Sequence, residues 1–428
     1  MGEVKHINAA EALLARHSAP AKASDWAEAT RGNARARMLA IGVAGRRDEY
    51  WRYTNPAILN EAETPEAEIL QLDEAQMYDG VEKLLITFVD GVFDPTQSDD
   101  LSCEALEIST LEAALSADIH WASEVFGVLE ANAQTPVARP FAALNTALSS
   151  QGMVIRATGK VSKPLALRYL RKAAKSDAIV HHVIRVESGA DVSILENGAG
   201  AARMNTVMEV DVADGAAFHH LRAQGRDHAR MAVTHIFARL GEKCNFKSFT
   251  LTANGMLTRN EVVIDINGDE TKASVAGACL GDGDFLHDDT IFITHDAVNC
   301  ESRQVFKKVL KNGATGVFQG KILVQPDAQK TDGYQISQGL LLDDDSNFLA
   351  KPELEIYADD VACSHGSTCG AVDENSMFYL MSRGVSRVEA QNMMIVAFLD
   401  EAFQEIEDET LADDFRTRLL GWTERHSG

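Results

Sequence analysis

The chain has 428 residues, of which 40 are Lys or Arg and 64 are Asp or Glu, giving a net charge of −24 with histidine neutral. Its 45% hydrophobic and 24% charged residues are typical of a globular protein, and the acidic surplus argues against nucleic-acid or anionic-membrane partners. The N-terminal residues lack the continuous apolar core of a signal peptide, and the longest apolar stretch, Met393–Leu399, is far shorter than the roughly 20 residues that span a bilayer. Six scattered cysteines without a CxxC pair indicate reduced thiols, so we expect a cytoplasmic protein.

The first 150 residues predict a mainly helical N-terminal domain. Ala9–His17, Ser24–Leu39 and Ile108–Asn132 carry apolar residues at three- and four-residue spacing among good helix formers. Leu84–Val89 predicts a strand that runs into the turn Asp90-Gly91. We therefore expect helices with one strand in residues 1–150.

Residues 151–370 predict a core of short strands separated by turns of one kind. The turn residues Gly189, Gly215, Gly241 and Gly268 are 26, 26 and 27 residues apart, and a fixed period in this range marks a solenoid or an array. Because no helix lies between the strands, we predict a parallel β-helix or a stacked β-sandwich, with roughly six coils over residues 178–325. The longer interval from Gly268 to Gly313 predicts an irregular coil or a bulge. The predicted strands are His182–Val186, Ser193–Glu196, Thr206–Val212, Val233–Ala238, Lys247–Thr252, Glu261–Ile266, Thr290–Thr294 and Gly316–Val324.

The last residues, 371–428, predict a C-terminal helical domain. A short helix, Glu374–Met381, ends at Arg383-Gly384, and a long one opens at the capping box Ser386-x-x-Glu389 and runs to Ile406. A third helix covers Leu411–Arg425 and closes the chain.

Local motifs argue against several enzyme classes. The sequence has no GxxxxGK[ST], HExxH or GxSxG motif, so nucleotide hydrolysis by this chain is not expected. The sequence also contains the adjacent pairs His181-His182 and His219-His220. On a strand, neighbouring side chains point to opposite faces, so neither pair is a natural two-ligand site and we interpret both as structural or surface residues. The dense acidic group Asp282, Asp284, Asp288 and Asp289 is the one feature compatible with a β-helical carbohydrate-active enzyme, which would need paired carboxylates on one face.

The segment Lys351–Gly370 (KPELEIYADDVACSHGSTCG) is the most informative for chemistry. On an extended strand, Cys363 and His365 are two positions apart and share a face, and thiolate and imidazole are common ligands of iron and zinc. Taken alone, this pair is a weak signal that favours packing over metal binding. Two ligands also cannot complete a site, so a metal or cluster here would need residues of another chain. Cys369 is a candidate third ligand, although a small core residue is the favoured interpretation.

Several segments together resemble the SufB/SufD family of iron–sulfur cluster assembly proteins. The features that place the chain nearer the SufD branch are the Cys-Ser-His-Gly segment, the length and the lack of an N-terminal cysteine cluster. The matching segments, besides Lys351–Gly370, are Gly316-Val-Phe-Gln-Gly-Lys, Pro326-Asp-Ala-Gln-Lys-Thr-Asp, Phe378–Phe403, Trp51-Arg-Tyr-Thr and Phe141–Leu148.

The resemblance implies a fold, partners and site residues. It implies a mainly β protein with a right-handed parallel β-helix core flanked by N-terminal and C-terminal helical domains, which pairs with SufB through the β-helix. It also implies a SufC ATPase subunit that docks on the C-terminal helices, at Arg383, Gly384, Met393, Met394 and Phe398, and that performs the ATP hydrolysis. The chain itself is then a non-enzymatic scaffold subunit that takes part in iron acquisition. His365, with Cys363 beside it, would contact a transient iron–sulfur cluster at the SufB interface, with no cofactor bound permanently.

A second interpretation stays open beside this one. The chain could be a purely structural platform, or a homodimer in isolation, in which His365 packs and no cluster ligand is supplied.

Overall fold

The computed structural model describes residues 9–69, 77–225 and 227–426, and its largest part is built from two parallel sheets. The strands are β1 (Leu84–Val89), β2 (Val92–Phe93), β3 (Leu106–Thr110), β4 (Met153–Ala157), β5 (Leu165–Leu170), β6 (Asp177–Val186), β7 (Asp191–Gly198), β8 (Arg203–Val212), β9 (Ala217–Gln224), β10 (Met231–Leu240), β11 (Asn245–Ala253), β12 (Leu257–Ile266), β13 (Lys272–Asp282), β14 (Leu286–His295), β15 (Glu301–Lys311), β16 (Thr315–Val324), β17 (Asp332–Leu341), β18 (Asn347–Ile356) and β19 (Ala362–Ala371).

From β4 onward the chain alternates between the two sheets. The 10-stranded sheet has the order β19-β17-β15-β13-β11-β9-β7-β5-β1-β2, and the 9-stranded sheet has the order β18-β16-β14-β12-β10-β8-β6-β4-β3. From β6 onward each strand pairs in parallel with the strand one coil earlier, at a spacing that varies between 26 residues (Asp177 opposite Arg203) and 32 (Thr315 opposite Asn347). This arrangement is a parallel β-solenoid and confirms the β-helix prediction.

The predicted irregular coil between Gly268 and Gly313 is wrong. That interval contains the regular strands β13, β14 and β15, all in parallel register. The turns that follow the 9-stranded sheet keep a residue at positive φ, which is Gly189 and Gly215 in two of them and then the non-glycine residues Lys243, Glu270 and Asn299. Gly313 belongs to the turns on the opposite edge, which follow strands of the 10-stranded sheet. The glycine spacing therefore changed because the residue type changed, while the backbone turn remained.

Helices cover the outer faces of both sheets. In the described residues, positions 9–14 are also helical. The α-helices are α1 (Asp25–Ile41), α2 (Leu111–Ser116), α3 (Val128–Asn132), α4 (Pro140–Leu148), α5 (Glu374–Ser382), α6 (Arg387–Phe403) and α7 (Glu409–Arg425), and the 3₁₀ helices are Glu49–Trp51, Ala57–Leu59, Pro95–Gln97 and Trp121–Glu124.

The N-terminal elements pack on the 9-stranded sheet, with α4 against β6 and β8. The single helical stretch predicted over Ile108–Asn132 is wrong, because β3 occupies its start and only short helices follow. Thr110 caps α2 through its side chain, and Gly127, at φ 70°, starts α3 in a new direction. Alanine-rich composition therefore overstated the length of continuous helix.

The C-terminal helices pack on the 10-stranded sheet. Phe403 of α6 and Phe415 of α7 contact Phe249 of β11 edge to face, with ring centroids 5.6 and 5.3 Å apart, and the two rings lie 6.3 Å from each other. The predicted capping box is confirmed, since Ser386 and Glu389 each accept a hydrogen bond from the other's backbone N–H. None of the described helices is long and apolar enough to cross a membrane.

Candidate functional site at the open end of the solenoid

The last coil ends the solenoid with two edge strands, β18 and β19. Each pairs on one side only, β18 with β16 and β19 with β17, so each leaves a row of backbone N–H and C=O groups unpaired. Most residues of β19 are exposed, whereas β8 in the middle of the solenoid is buried along almost its whole length. The open end is therefore a ready surface for another chain.

Cys363 and His365 lie on this edge strand and share its inner face. Their Cα partners in β17 are Gly333 and Gln335, and Gln335 is in turn opposite Gln304 of β15. Phe306, two positions beyond Gln304, belongs to the core between the sheets, which fixes this face as the inner one. The structure thus places the two residues together at the mouth of the solenoid, as the strand spacing predicted.

The two side chains differ in their surroundings. Cys363 is half-buried beside Ile322 and Leu354, and burial raises the pKa of its thiol. The thiol must therefore lose a proton before it can bind a metal ion. His365 is exposed, and no described residue forms a hydrogen bond with its ring.

Cys369 is exposed, which contradicts its interpretation as a small core residue. It faces the same side of β19 as Cys363 but lies six positions further along. In the described part of the chain, no three His, Cys, Asp or Glu side chains come together in a group that could hold a metal ion. Any cluster held at this end would need ligands from a second protein.

Two buried glutamines that the sequence reasoning missed lie directly behind His365. Gln304 and Gln335 have no exposed surface, and the Nε2 of Gln335 donates to the Oε1 of Gln304 at 3.0 Å. The Oε1 of Gln335 and the Nε2 of Gln304 are buried without a partner. The sequence could have revealed Gln335 only through its position one coil before His365, and recognising that position requires knowledge of the strand register.

A second polar cluster lies inside the middle coils. Glu196 accepts hydrogen bonds from the Tyr169 hydroxyl at 2.7 Å, from His220 Nε2 at 2.8 Å and from Arg222 Nε at 2.8 Å. Burial alone would raise the pKa of the Glu196 carboxyl, but Arg222 and His220 hold this pKa well below its usual range. Burial lowers the pKa of His220, so the guanidinium of Arg222 supplies the compensating positive charge. This cluster is closed, because none of its four side chains has an unpaired buried polar atom.

The histidine pairs behave as predicted for strand residues. His181 faces outward and contacts Glu209 at 2.8 Å, whereas His182 faces inward and contacts the Tyr169 hydroxyl at 2.9 Å. His220 faces inward, and His219 lies on the opposite face near Asp191. Neither pair forms a two-ligand site.

The acidic group does not provide the paired carboxylates of a carbohydrate-active enzyme. Asp288 contacts Arg259 and Asp289 contacts Lys308, both at 2.5 Å, on opposite faces of β14. Asp282 lies 3.7 Å from Lys311. These contacts place lysine or arginine beside three of the four carboxylates and explain why acidic residues are tolerated there.

The C-terminal helices expose an apolar surface, which we call the helical patch and define by Phe378, Tyr379, Met381, Val388 and Met393. Phe378 is 74% exposed and Met393 is 52% exposed, large values for such side chains. The sequence prediction named Met393 but missed the exposed residues of α5.

The other predicted docking residues lie near this patch or beneath it. Arg383 is exposed and stacks on the Tyr379 ring at 4.3 Å, and Gly384 follows at φ 89°. Met394 and Phe398 are half-buried, and Lys307 lies 4.6 Å from the Phe398 ring. Phe398 therefore packs against the sheet and is less available to a partner than Met393.

Comparison with known proteins supports one family. Residues 169–398 match the family model described as SUF system FeS cluster assembly, SufBD core domain. The chain is 26% identical over 393 residues to the iron–sulfur cluster assembly protein SufD of Escherichia coli, which covers 89% of this chain and 90% of that protein. It is 26% identical to a SufBD family protein of Synechocystis, over 86% of this chain and 84% of that protein. It is 27% identical to SufD of Bacillus subtilis, over 62% of each chain. The chain therefore belongs to the SufB/SufD family of the SUF system of iron–sulfur cluster assembly, and it is SufD-like.

Proposed function

We propose that the chain is a scaffold subunit that pairs with SufB through the open end of its solenoid and presents His365 to a nascent iron–sulfur cluster. The observation that carries this proposal is the position of His365, exposed on an edge strand beside Cys363, in a member of a cluster-assembly family. The cluster is cargo and not a resident cofactor. SufB would supply the remaining ligands.

The chemistry of the two side chains assigns them different roles. A neutral imidazole binds iron through either ring nitrogen without losing a proton, so His365 is ready to take part in iron acquisition. The Cys363 thiol has a raised pKa and is half-buried, so it supports the site and becomes a ligand only after deprotonation.

The helical patch is the proposed docking surface for the SufC ATPase, which would perform the ATP hydrolysis of the complex. Its exposed methionine and aromatic side chains suit adaptable contacts with another protein. Deleting the C-terminal helices would be a poor test, because α6 and α7 cover apolar residues of the 10-stranded sheet. A point change such as Met393→Glu is preferable, with Val92→Glu as a control at an equally exposed apolar residue of β2. Met393→Glu should weaken copurification of SufC, and retained binding would exclude this surface.

The cluster role is tested by purifying His365→Ala and Cys363→Ala with SufB and SufC and measuring bound iron and sulfide against the melting temperature. Ser364→Ala, on the opposite face of the same strand, is the matched control. His365→Ala should lose most of the bound iron at an unchanged melting temperature, and Cys363→Ala should lose less.

If iron content follows the melting temperature in all three variants, the alternative of a purely structural platform or self-dimer is correct. The cytoplasmic location expected from the sequence is part of the same proposal.

A further inference from the structure

The glutamine pair behind His365 forms a short ladder that points toward the open end. Gln304, Gln335 and His365 are successive Cα partners in β15, β17 and β19. In a stack of side-chain amides, each N–H donates to the neighbour on one side, and each carbonyl oxygen points to the neighbour on the other side. The Nε2 of Gln335 is used toward Gln304 and its Oε1 is left without a partner, and the next Cα partner along this ladder is His365.

Side chains of the last two strands do meet at this depth of the solenoid. Ser337 and Ser367, two positions along on the same face, form a hydrogen bond of 3.0 Å between their hydroxyls. On the other side of Gln335, Gly333 lies against the Cys363 sulfur. His365 is therefore the side chain of β19 with a ring N–H to offer at the level of Gln335.

A glycine in the opposite sheet makes room for the glutamine. A Cβ at Gly320 would collide with the Nε2 of Gln335 and would lie 2.7 Å from the Phe318 ring. Gly320 belongs to the segment Gly316-Val-Phe-Gln-Gly-Lys, whose role is otherwise unexplained. Gln335 is therefore a buried polar side chain with an unpaired acceptor, and Gly320 leaves open the space that it occupies. Such a group in a protein interior calls for a specific explanation.

We propose that Gln335 is the positioning residue of His365. When a partner docks on the edge strand and folds the imidazole against the solenoid, Gln335 Oε1 accepts the hydrogen bond of one ring N–H. That bond fixes the tautomer and directs the other nitrogen, with its lone pair, toward the cargo. This inference rests on the proposed function of His365 and names a residue that acts through it.

The test uses a double variant, Gln304→Leu with Gln335→Leu, in the complex with SufB and SufC. Replacing both amides removes the acceptor without leaving a buried partner unpaired, so the melting temperature should hold or rise. Iron and sulfide acquired from ferrous iron and sulfide should fall by about tenfold or more, as for other residues that orient a metal-binding histidine. Gln338→Leu, on the outer face of β17 where Gln338 contacts Thr368 at 3.3 Å, is the matched control.

A second measurement separates positioning from a structural role. With ¹⁵N-histidine in the complex, the ring shifts of His365 should report one dominant tautomer in the parent chain and in Gln338→Leu, and a mixture in the double variant. Gln304→Leu alone keeps the Gln335 acceptor but removes the amide that orients it, so it should lie between the parent and the double variant in both the tautomer mixture and the iron content.

The outcomes distinguish this inference from the proposed function. If His365→Ala loses iron but the double variant matches Gln338→Leu in loading and ring shifts, the role of Gln335 is excluded and that of His365 stands. If the ring shifts change in the double variant but His365→Ala loads iron normally, the contact exists and the cluster role is wrong.

Discussion

One polar cluster in the middle of the solenoid and the glutamine pair near its end differ in whether their buried polar atoms are all paired. In the middle coils, Glu196 joins Tyr169, His220 and Arg222, and every buried polar atom of these side chains has a partner. At the end, Gln304 and Gln335 are equally buried, yet each keeps one atom unpaired. A closed cluster stabilises the fold on its own, whereas an open one is complete only with a further group. This difference supports the proposal that the last coil is the functional one.

The largest expected effect tests the closed cluster. Glu196→Ala leaves the Arg222 guanidinium buried without its carboxylate, and breaking such a pair typically costs about 3–5 kcal/mol of the free energy of unfolding. Urea denaturation measures it. Glu187→Ala, which removes a half-exposed ion pair with Arg156, should cost about 1 kcal/mol or less. Equal losses in the two variants would show that the buried cluster contributes no more to stability than a half-exposed ion pair.

Acid should destabilise the protein through its buried histidines. Burial lowers the pKa of His182 from 6.5 to about 4, so the unfolded chain binds a proton at this residue in a pH range where the folded chain does not. Stability is therefore complete above pH 6.5 and falls as the pH drops from 6.5 to 4, by about 1.4 kcal/mol per pH unit for such a histidine. Unfolding free energies measured from pH 7 to pH 4 in the parent and in His182→Gln should show a smaller slope in the variant. An identical slope would contradict the neutral, buried state of this ring.

At the open end, Gly320→Ala should lower both stability and iron loading. The added methyl group displaces Gln335 and crowds Phe318, and overpacking of this kind costs about 1–3 kcal/mol. Gly366→Ala on β19 is the control, since a Cβ there meets no atom within 4 Å and stability should change by at most about 0.5 kcal/mol. Melting temperature and bound iron measured together would show whether the space for Gln335 matters.

The smallest effects distinguish a middle cysteine from an end cysteine. Cys279 is buried against Phe285 and Leu310, and burial raises the pKa of its thiol to about 12. Cys279→Ala should cost about 1 kcal/mol, and its thiol should not react with a maleimide in the folded protein. Cys369 is exposed, so Cys369→Ala should be neutral and its thiol should react. A labelled Cys279 with an unlabelled Cys369 would contradict the structure.

The regular part of the fold was predictable from local signals. Glycines at φ near 70°, Gly189 and Gly215, stand in stacked turns, and strand segments between them repeat at the same period. The signal was lost at the turn of Asn299, which adopts the same backbone conformation without any glycine in the turn. Ser386 and Glu389 likewise gave the start of α6, since a capping box is a contact between neighbours in sequence.

The candidate site could be predicted only in part. Cys363 and His365 were found because two positions on one strand always share a face. Gln335 was not, because it is 30 residues away from His365 and becomes its neighbour only through the register of β17 and β19. The exposure of Phe378 and Tyr379 was also missed, since an apolar helix residue is usually buried and only the packed structure shows which side remains open.

The one-sided last coil has a dynamic consequence. In a solenoid each coil contacts its immediate neighbours, so stability propagates along the stack and the terminal coil opens most easily. β19, which carries His365, is stabilised by β17 alone within the sheet. Its amide hydrogens should therefore exchange with deuterium soonest and should slow once a partner strand is added. Cluster assembly at this position would thus depend on the ordering of β19. A ligand on a fraying strand can hold its cargo only after a second protein has bound and stopped the fraying.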